Sequence, residues 1–267
     1  MTTMITELSR HTAPSQKPRS GAPISLDYFG SVVRHMLSDP SFIGFLLVMP
    51  TAFYLFFGQI YGADPEWGMD AKKQILLQMA TYGAMGSALS AGNAIQMERS
   101  TGWFRQLMIT GLSPASFFLV RAAAALLMIV PPIALVLLVG RLDGVEFPFW
   151  TWFKIIGVAL IVLIPFVIMG LVIGLWFRAQ AANAATTFIM MAMAMIGGMW
   201  VPLEMMPEFL QGIGRVLPSY WAVQFAALPV TGDPIPMRGV VVILIWTVAL
   251  TVLGVLGYRR ALKTSKR

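Results

Sequence analysis

The sequence predicts an all-α integral membrane protein with six transmembrane helices. It adds an N-terminal amphipathic surface helix, a cytoplasmic helix between spans 2 and 3, and an external re-entrant or helical hairpin between spans 5 and 6. Three observations carry this reading. Of 267 residues, 57% are hydrophobic and 12% are charged, about half the charged share usual in soluble domains. The charges are missing from long stretches rather than thinned evenly, as a chain solvated by lipid requires. Each of those stretches approaches the roughly 20 apolar residues that carry a helix across about 30 Å of hydrocarbon.

The elements follow in order. Residues 1–23 carry Pro, Ser, Lys and Arg in their second half and read as a flexible cytoplasmic tail. No secretory signal is expected, because the first apolar run, 41–62, is too long for one. That run is span 1, entered by Asp39-Pro40, a capping residue followed by a first-turn proline. Span 2 covers about 74–96, span 3 about 116–139 with Pro131-Pro132 inside it, and span 4 about 151–177 with Pro165 inside it. Span 5 covers about 182–201 and span 6 about 238–257. Short intervals between them make 39–258 one membrane domain, and 259–267 is a basic cytoplasmic tail.

Basic residues set the expected orientation, because loops rich in Lys and Arg stay in the cytoplasm. Six spans put both termini on one side. That side holds thirteen of the basic residues, from Arg10 through Arg34, Arg99, Arg105, Arg121 and Arg178 to Arg267; the other holds six, Lys72, Lys73, Arg141, Lys154, Arg215 and Arg238. Both termini are therefore placed in the cytoplasm, with positions 66 and 143 outside and 100, 180 and 264 inside. The net charge of +7 then reflects membrane orientation, and no nucleic-acid partner is expected.

Three segments are amphipathic but too short or too polar to cross. In 24–38, Leu26, Phe29, Val33, Met36 and Leu37 share one helical face, as in a helix lying on the membrane surface. In the span 2–3 loop, Trp103, Phe104, Leu107 and Met108 form an apolar stripe opposite Glu98, Arg99, Arg105 and Gln106. Such a helix rests on lipid or docks a soluble partner, and periodicity does not choose. In 202–218, Pro207 opens a short helix and Pro218 lies beyond its end, while Gly197-Gly198 and Pro202 break span 5 near its outer end.

The second and third segments resemble the membrane (permease) subunit of type-2 ABC exporters, the ABC-2 type transporter permease family. The first motif reads Glu98-Arg99-Ser100-Thr101-Gly102-Trp103-Phe104-Arg105-Gln106-Leu107, then Leu112-Ser113-Pro114. The second reads Gly197, Gly198, Pro202, Pro207, Leu210, Leu217 and Pro218, then Tyr220-Trp221-Ala222. The family usually has a smaller residue or Thr after the glycine, where this chain has Trp103-Phe104. The resemblance implies that Glu98, Arg99, Gly102, Trp103, Phe104, Arg105 and Leu107 form a coupling helix against an ATPase subunit. It makes Gly197, Gly198, Pro202, Pro207, Leu210 and Pro218 an external cap. It further implies two copies of a P-loop ATPase, a second permease half that is this chain or a related one, and a bacterial cytoplasmic (inner) membrane.

No G-x-x-x-x-G-K-[ST] occurs, so the chain holds no ATP through a P-loop. ATP and Mg would sit on the partner, leaving this chain without a cofactor, a metal or catalytic residues. The zinc-protease and serine-hydrolase motifs H-E-x-x-H and G-x-S-x-G are also missing. Small residues recur in span 2, at Gly83, Ser87 and Ala91 with Gly86 and Ser90 beside them, and permit close helix packing. Span 5 carries Met190, Met191, Met193, Met195 and Met199, a flexible surface for varied apolar ligands or simple hydrophobic filling. The expectation is ATP-driven export of a lipophilic or amphiphilic substrate, such as a drug, antibiotic, lipid or glycolipid. The alternatives are a secondary transporter or a non-transporting accessory or scaffold protein.

Overall fold

A computed structural model describes residues 42–62, 68–100 and 114–265, together with 30, 33, 34 and 38. The described residues are helical, with no strands among them. The tail 1–23 and the coupling segment 101–113 lie outside them, as does most of the expected surface helix 24–38.

The first element is wound in two ways: a π-helix over Phe42–Val48 runs straight into α1, Met49–Tyr61. Pro50 stands in the first turn of α1. A proline gives no N–H to the carbonyl four residues back, and its ring crowds that carbonyl. Wider winding ahead of it relieves the contact, and this is where the π turns lie. The other helices are α2, Gly68–Ser100; α3, Pro114–Leu142; α4, Phe149–Val162; α5, Ile164–Trp176; and α6, Ala179–Ile196. After a 3₁₀ turn at Leu203–Met205 come α7, Glu208–Gly214; α8, Pro218–Thr231; and α9, Met237–Ser265.

The apolar stretch expected as span 4 is two helices rather than one. α4 and α5 meet at 42°, because Pro165 in the first turn of α5 cannot donate to the carbonyl of Ile161. By length and composition, α3 over Leu119–Leu142 and α9 over Met237–Gly257 can cross a membrane, each with mean hydropathy 2.7, and the bent pair α4–α5 is a third candidate. Leu46–Tyr61 and Gln180–Ile196 are apolar but shorter.

α2 is the axis of the fold. It has 33 residues, about 50 Å at 1.5 Å per residue, and packs against α1, α3, α5, α6 and α8. Every residue from Ile75 to Leu89 is buried. Small residues allow this crowding. A Cβ on Gly83 would lie 2.9 Å from Pro50 Cγ, 3.1 Å from Pro132 Cβ and 3.2 Å from Leu46 O. The prolines of two neighbouring helices and the carbonyl released ahead of Pro50 thus converge on one missing side chain. About two and a half turns further on, α2 and α5 touch backbone to backbone. A Cβ on Gly92 would collide with Gly170 O, and one on Gly174 with Gly92 O. The small-residue spacing of span 2 therefore serves packing within this chain.

Candidate functional site

Between α6 and α8 the chain folds into a compact cap. α6 ends where Gly197 N–H bonds Met193 O at 2.9 Å, and Gly198 then takes φ +76, a left-handed turn suited to glycine. Gln78 of α2 donates through Nε2 to Gly198 O at 3.3 Å. Gly197 also lies so close to Ser219, in the first turn of α8, that a Cβ would overlap its Oγ. Pro202 caps the 3₁₀ turn, Pro207 stands at the N-cap of α7, and Pro218 is the first residue of α8. Leu210 is half-buried on α7, and Gln211 donates to Met206 O at 2.9 Å. The six cap residues expected from the sequence thus stand at the breaks between helices or on α7.

The sequence pattern alone does not single out α8 as a helix. Its signal is nonetheless there: Pro218 in the first turn and Gly232 just past the end at φ +73, the proline-first, glycine-last asymmetry of a helix. Tyr220 on α8 has its hydroxyl pKa raised, first by burial and then by Glu204, with Arg215 opposing.

The five methionines of α6 and its end do not form one surface. Met190, Met193 and Met199 are buried against the core, whereas Met191 and Met195 are 49% and 54% exposed and share their face with the exposed Phe188. Helical spacing explains the split: 188, 191 and 195 fall on one side.

A polar node is equally invisible to sequence spacing. Asp143, in the α3–α4 connection, accepts from Tyr54 Oη at 3.0 Å and Gln59 Nε2 at 3.3 Å, and pairs with Lys72 Nζ at 3.0 Å. It ties α1, α2 and the connection together at one end of the bundle. The four residues come from three separate stretches, and no local spacing announces them.

Glu98 and Arg99 lie in the last turn of α2, which runs to Ser100. Gly102, Trp103, Phe104, Arg105 and Leu107 lie outside the described residues. Arg121, counted as a cytoplasmic loop charge, is buried on α3 at 6% exposure. Among the described residues no cluster of three or more His, Asp or Glu could hold a metal.

Comparison with known proteins decides the family. Residues 70–257, running from the start of α2 to the apolar end of α9, match the family described as "ABC-2 family transporter protein". The chain belongs to that family. A curated relative, the "Putative transport permease YvfS" of Bacillus subtilis (strain 168), is 28% identical over 190 residues, covering 70% of this chain and 78% of the relative. As an ABC-2 type permease, the protein is a membrane-embedded transport subunit rather than an enzyme, and the family works with a partner ATPase.

Proposed function

We propose that this ABC-2 permease forms the membrane half of an ATP-driven exporter for lipophilic or amphiphilic substrates. The family match over 70–257 carries the reading, beside a sequence without a P-loop that must take its ATP energy from a separate subunit. Six crossings are counted with α1, α2, α3, the α4–α5 pair, α6 and α9, and both termini lie in the cytoplasm of a bacterial cell. Two ATPase copies serve two permease halves, and the 98–107 segment passes the ATPase's closing motion to α2 and α3. Substrate moves along the exposed face of α6 carrying Phe188, Met191 and Met195, which is apolar and adaptable.

The test is biochemical. Purified chain alone should neither bind nor hydrolyse ATP, and affinity purification from its host should bring down a P-loop ATPase. Replacing Trp103 by Ala or Glu98 by Lys should leave membrane levels unchanged, lower export, and stop substrate from stimulating the partner's ATPase. Wild-type export by both variants at normal abundance would remove the coupling role; ATP turnover by the chain alone would remove the whole scheme. Orientation is read by impermeant maleimide on single cysteines introduced at 66 and 146, expected outside, and at 100, 180 and 264, expected inside. Glu146 replaces Asp143 for this purpose because its side chain is 78% exposed, while Asp143 is held in the polar node.

A further inference from the structure

An open pocket of about 580 Å³ lies between the α7–α8 turn and the start of α9. Its walls include Arg215, Tyr220, Trp221, Arg238, Val241 and Val242. We propose that this pocket holds the phosphate-bearing headgroup of an anionic glycerophospholipid, with an acyl chain lying along the exposed apolar stripe of α9.

The charge pattern comes first. Two arginines, Arg215 and Arg238, line one concave space. Among the described residues neither is in an ion pair; Arg215 only donates to the neutral Gln211 Oε1 at 3.2 Å. No carboxylate lines the pocket; Glu204, which acts on Tyr220, lines an adjoining small cavity instead. Guanidinium groups match phosphate with paired, charge-assisted hydrogen bonds.

The pocket is also built, not incidental. Trp221 Nε1 donates to Arg215 O at 2.8 Å and Trp246 Nε1 to Val216 O at 2.9 Å. Both indoles therefore fix the turn that carries Arg215. Gly239 leaves the space that Trp221 fills, since a Cβ there would overlap its ring. Tryptophan with arginine at a helix end is the chemistry of a membrane–water interface.

Below the cations the wall turns apolar and stays so. Val241, Leu244, Ile245, Val248 and Val252 fall on one face of α9 and are 48–62% exposed. From Val241 to Val252 the stripe runs about 16 Å, close to the half-thickness of a hydrocarbon core of about 30 Å. A free phosphate would use the cations and leave the stripe bare. A lipid uses both, and its length is the stripe's length.

The experiment uses the full chain in nanodiscs of phosphatidylcholine and phosphatidylglycerol in equal parts, released for native mass spectrometry. The wild type should retain one phosphatidylglycerol, preferred over phosphatidylcholine by about tenfold. The R215Q/R238Q double variant should lose the preference, and the charge-conserving R215K/R238K should keep part of it, which separates lost charge from lost fold. Inorganic phosphate in excess should not displace the lipid. Equal retention of the two lipids, an unchanged preference in R215Q/R238Q, or displacement by phosphate alone would overturn the proposal. So would near-complete disulfide dimerisation through a cysteine at Val248, because a second copy of the chain would then occupy the stripe. None of these readouts depends on transport, so the result stands apart from the exporter reading.

Discussion

α2 and α9 are both long helices of a membrane protein, yet they live in different solvents. α2 is surrounded by protein: its residues from Ile75 to Leu89 are all buried, and its Gly83 and Gly92 meet prolines and backbone of neighbouring helices. α9 is at the edge. Its apolar window has mean hydropathy 2.7, and only 11% of it is buried inside the molecule. The glycines of α9 receive side chains instead, Trp221 at Gly239 and Trp176 at Gly257. The difference reverses a common intuition. The more buried helix is the less greasy one, because a protein-lined position needs small residues for close approach, whereas a lipid-lined position needs only apolar bulk.

The sharpest way to break this comparison is to truncate one leucine on each helix. Leu89→Ala on α2, at 0% exposure, should cost about 3 kcal/mol, since transfer and cavity terms add. Leu244→Ala on α9, at 56% exposure, should shift stability by less than about 0.5 kcal/mol. Thermal unfolding in detergent, followed by the loss of monodisperse protein, reads both; equal shifts would erase the distinction.

Glycines give the next largest contrast. Gly92→Ala places a Cβ into Gly170 O and should cost about 2 kcal/mol by overpacking. Gly254→Ala on α9 meets only Val172 Cγ2 at 3.5 Å, an ordinary contact, and should leave the melting temperature unchanged or slightly raised.

The anchors of the two helices differ in the same sense. Asp143→Asn weakens the node that holds the start of α2, where the Lys72 and Asp143 side chains are 15% and 17% exposed. The expected loss is about 1 kcal/mol, between the values for exposed and buried pairs, and Lys72→Met in the same background should add little more. A fully additive double variant would mean that the pair does not interact. Smaller still is Trp246→Phe, which keeps an aromatic ring and removes the bond to Val216 O at 2.9 Å. About 0.5–1 kcal/mol should go, and proteolysis should become faster at the α7–α8 turn without any change in α2.

Much of the helical layout is legible in hydropathy. The helices at spans 3 and 6 and the bent pair at span 4 stand out, being long and apolar enough to cross a membrane. Of the proline signals, Pro207 stands at a helix start as expected, whereas Pro165, read as lying inside one span, and Pro218, read only as lying beyond a helix end, open α5 and α8. Two small residues in sequence, Gly197-Gly198, announce the end of α6. Less legible is α8, whose buried face is shared among several helices, so that no single stripe stands out along its 14 residues.

What the sequence determined by itself is therefore local: where helices run, where they break, and that their solvent is largely lipid. Those properties depend on the residues within one turn or one span, where hydrogen-bond geometry and transfer into hydrocarbon act. The tertiary structure alone decided which helix sits at the centre, that Asp143 meets Tyr54, Gln59 and Lys72, and that Met191 and Met195 face outward while their neighbours face in. It also brought Arg215 and Arg238, 23 positions apart in the sequence, to the same pocket. These are contacts between distant stretches, set by how glycine-lined and proline-bent helices fit together, and the spacing of residues along one helix carries no record of its partner.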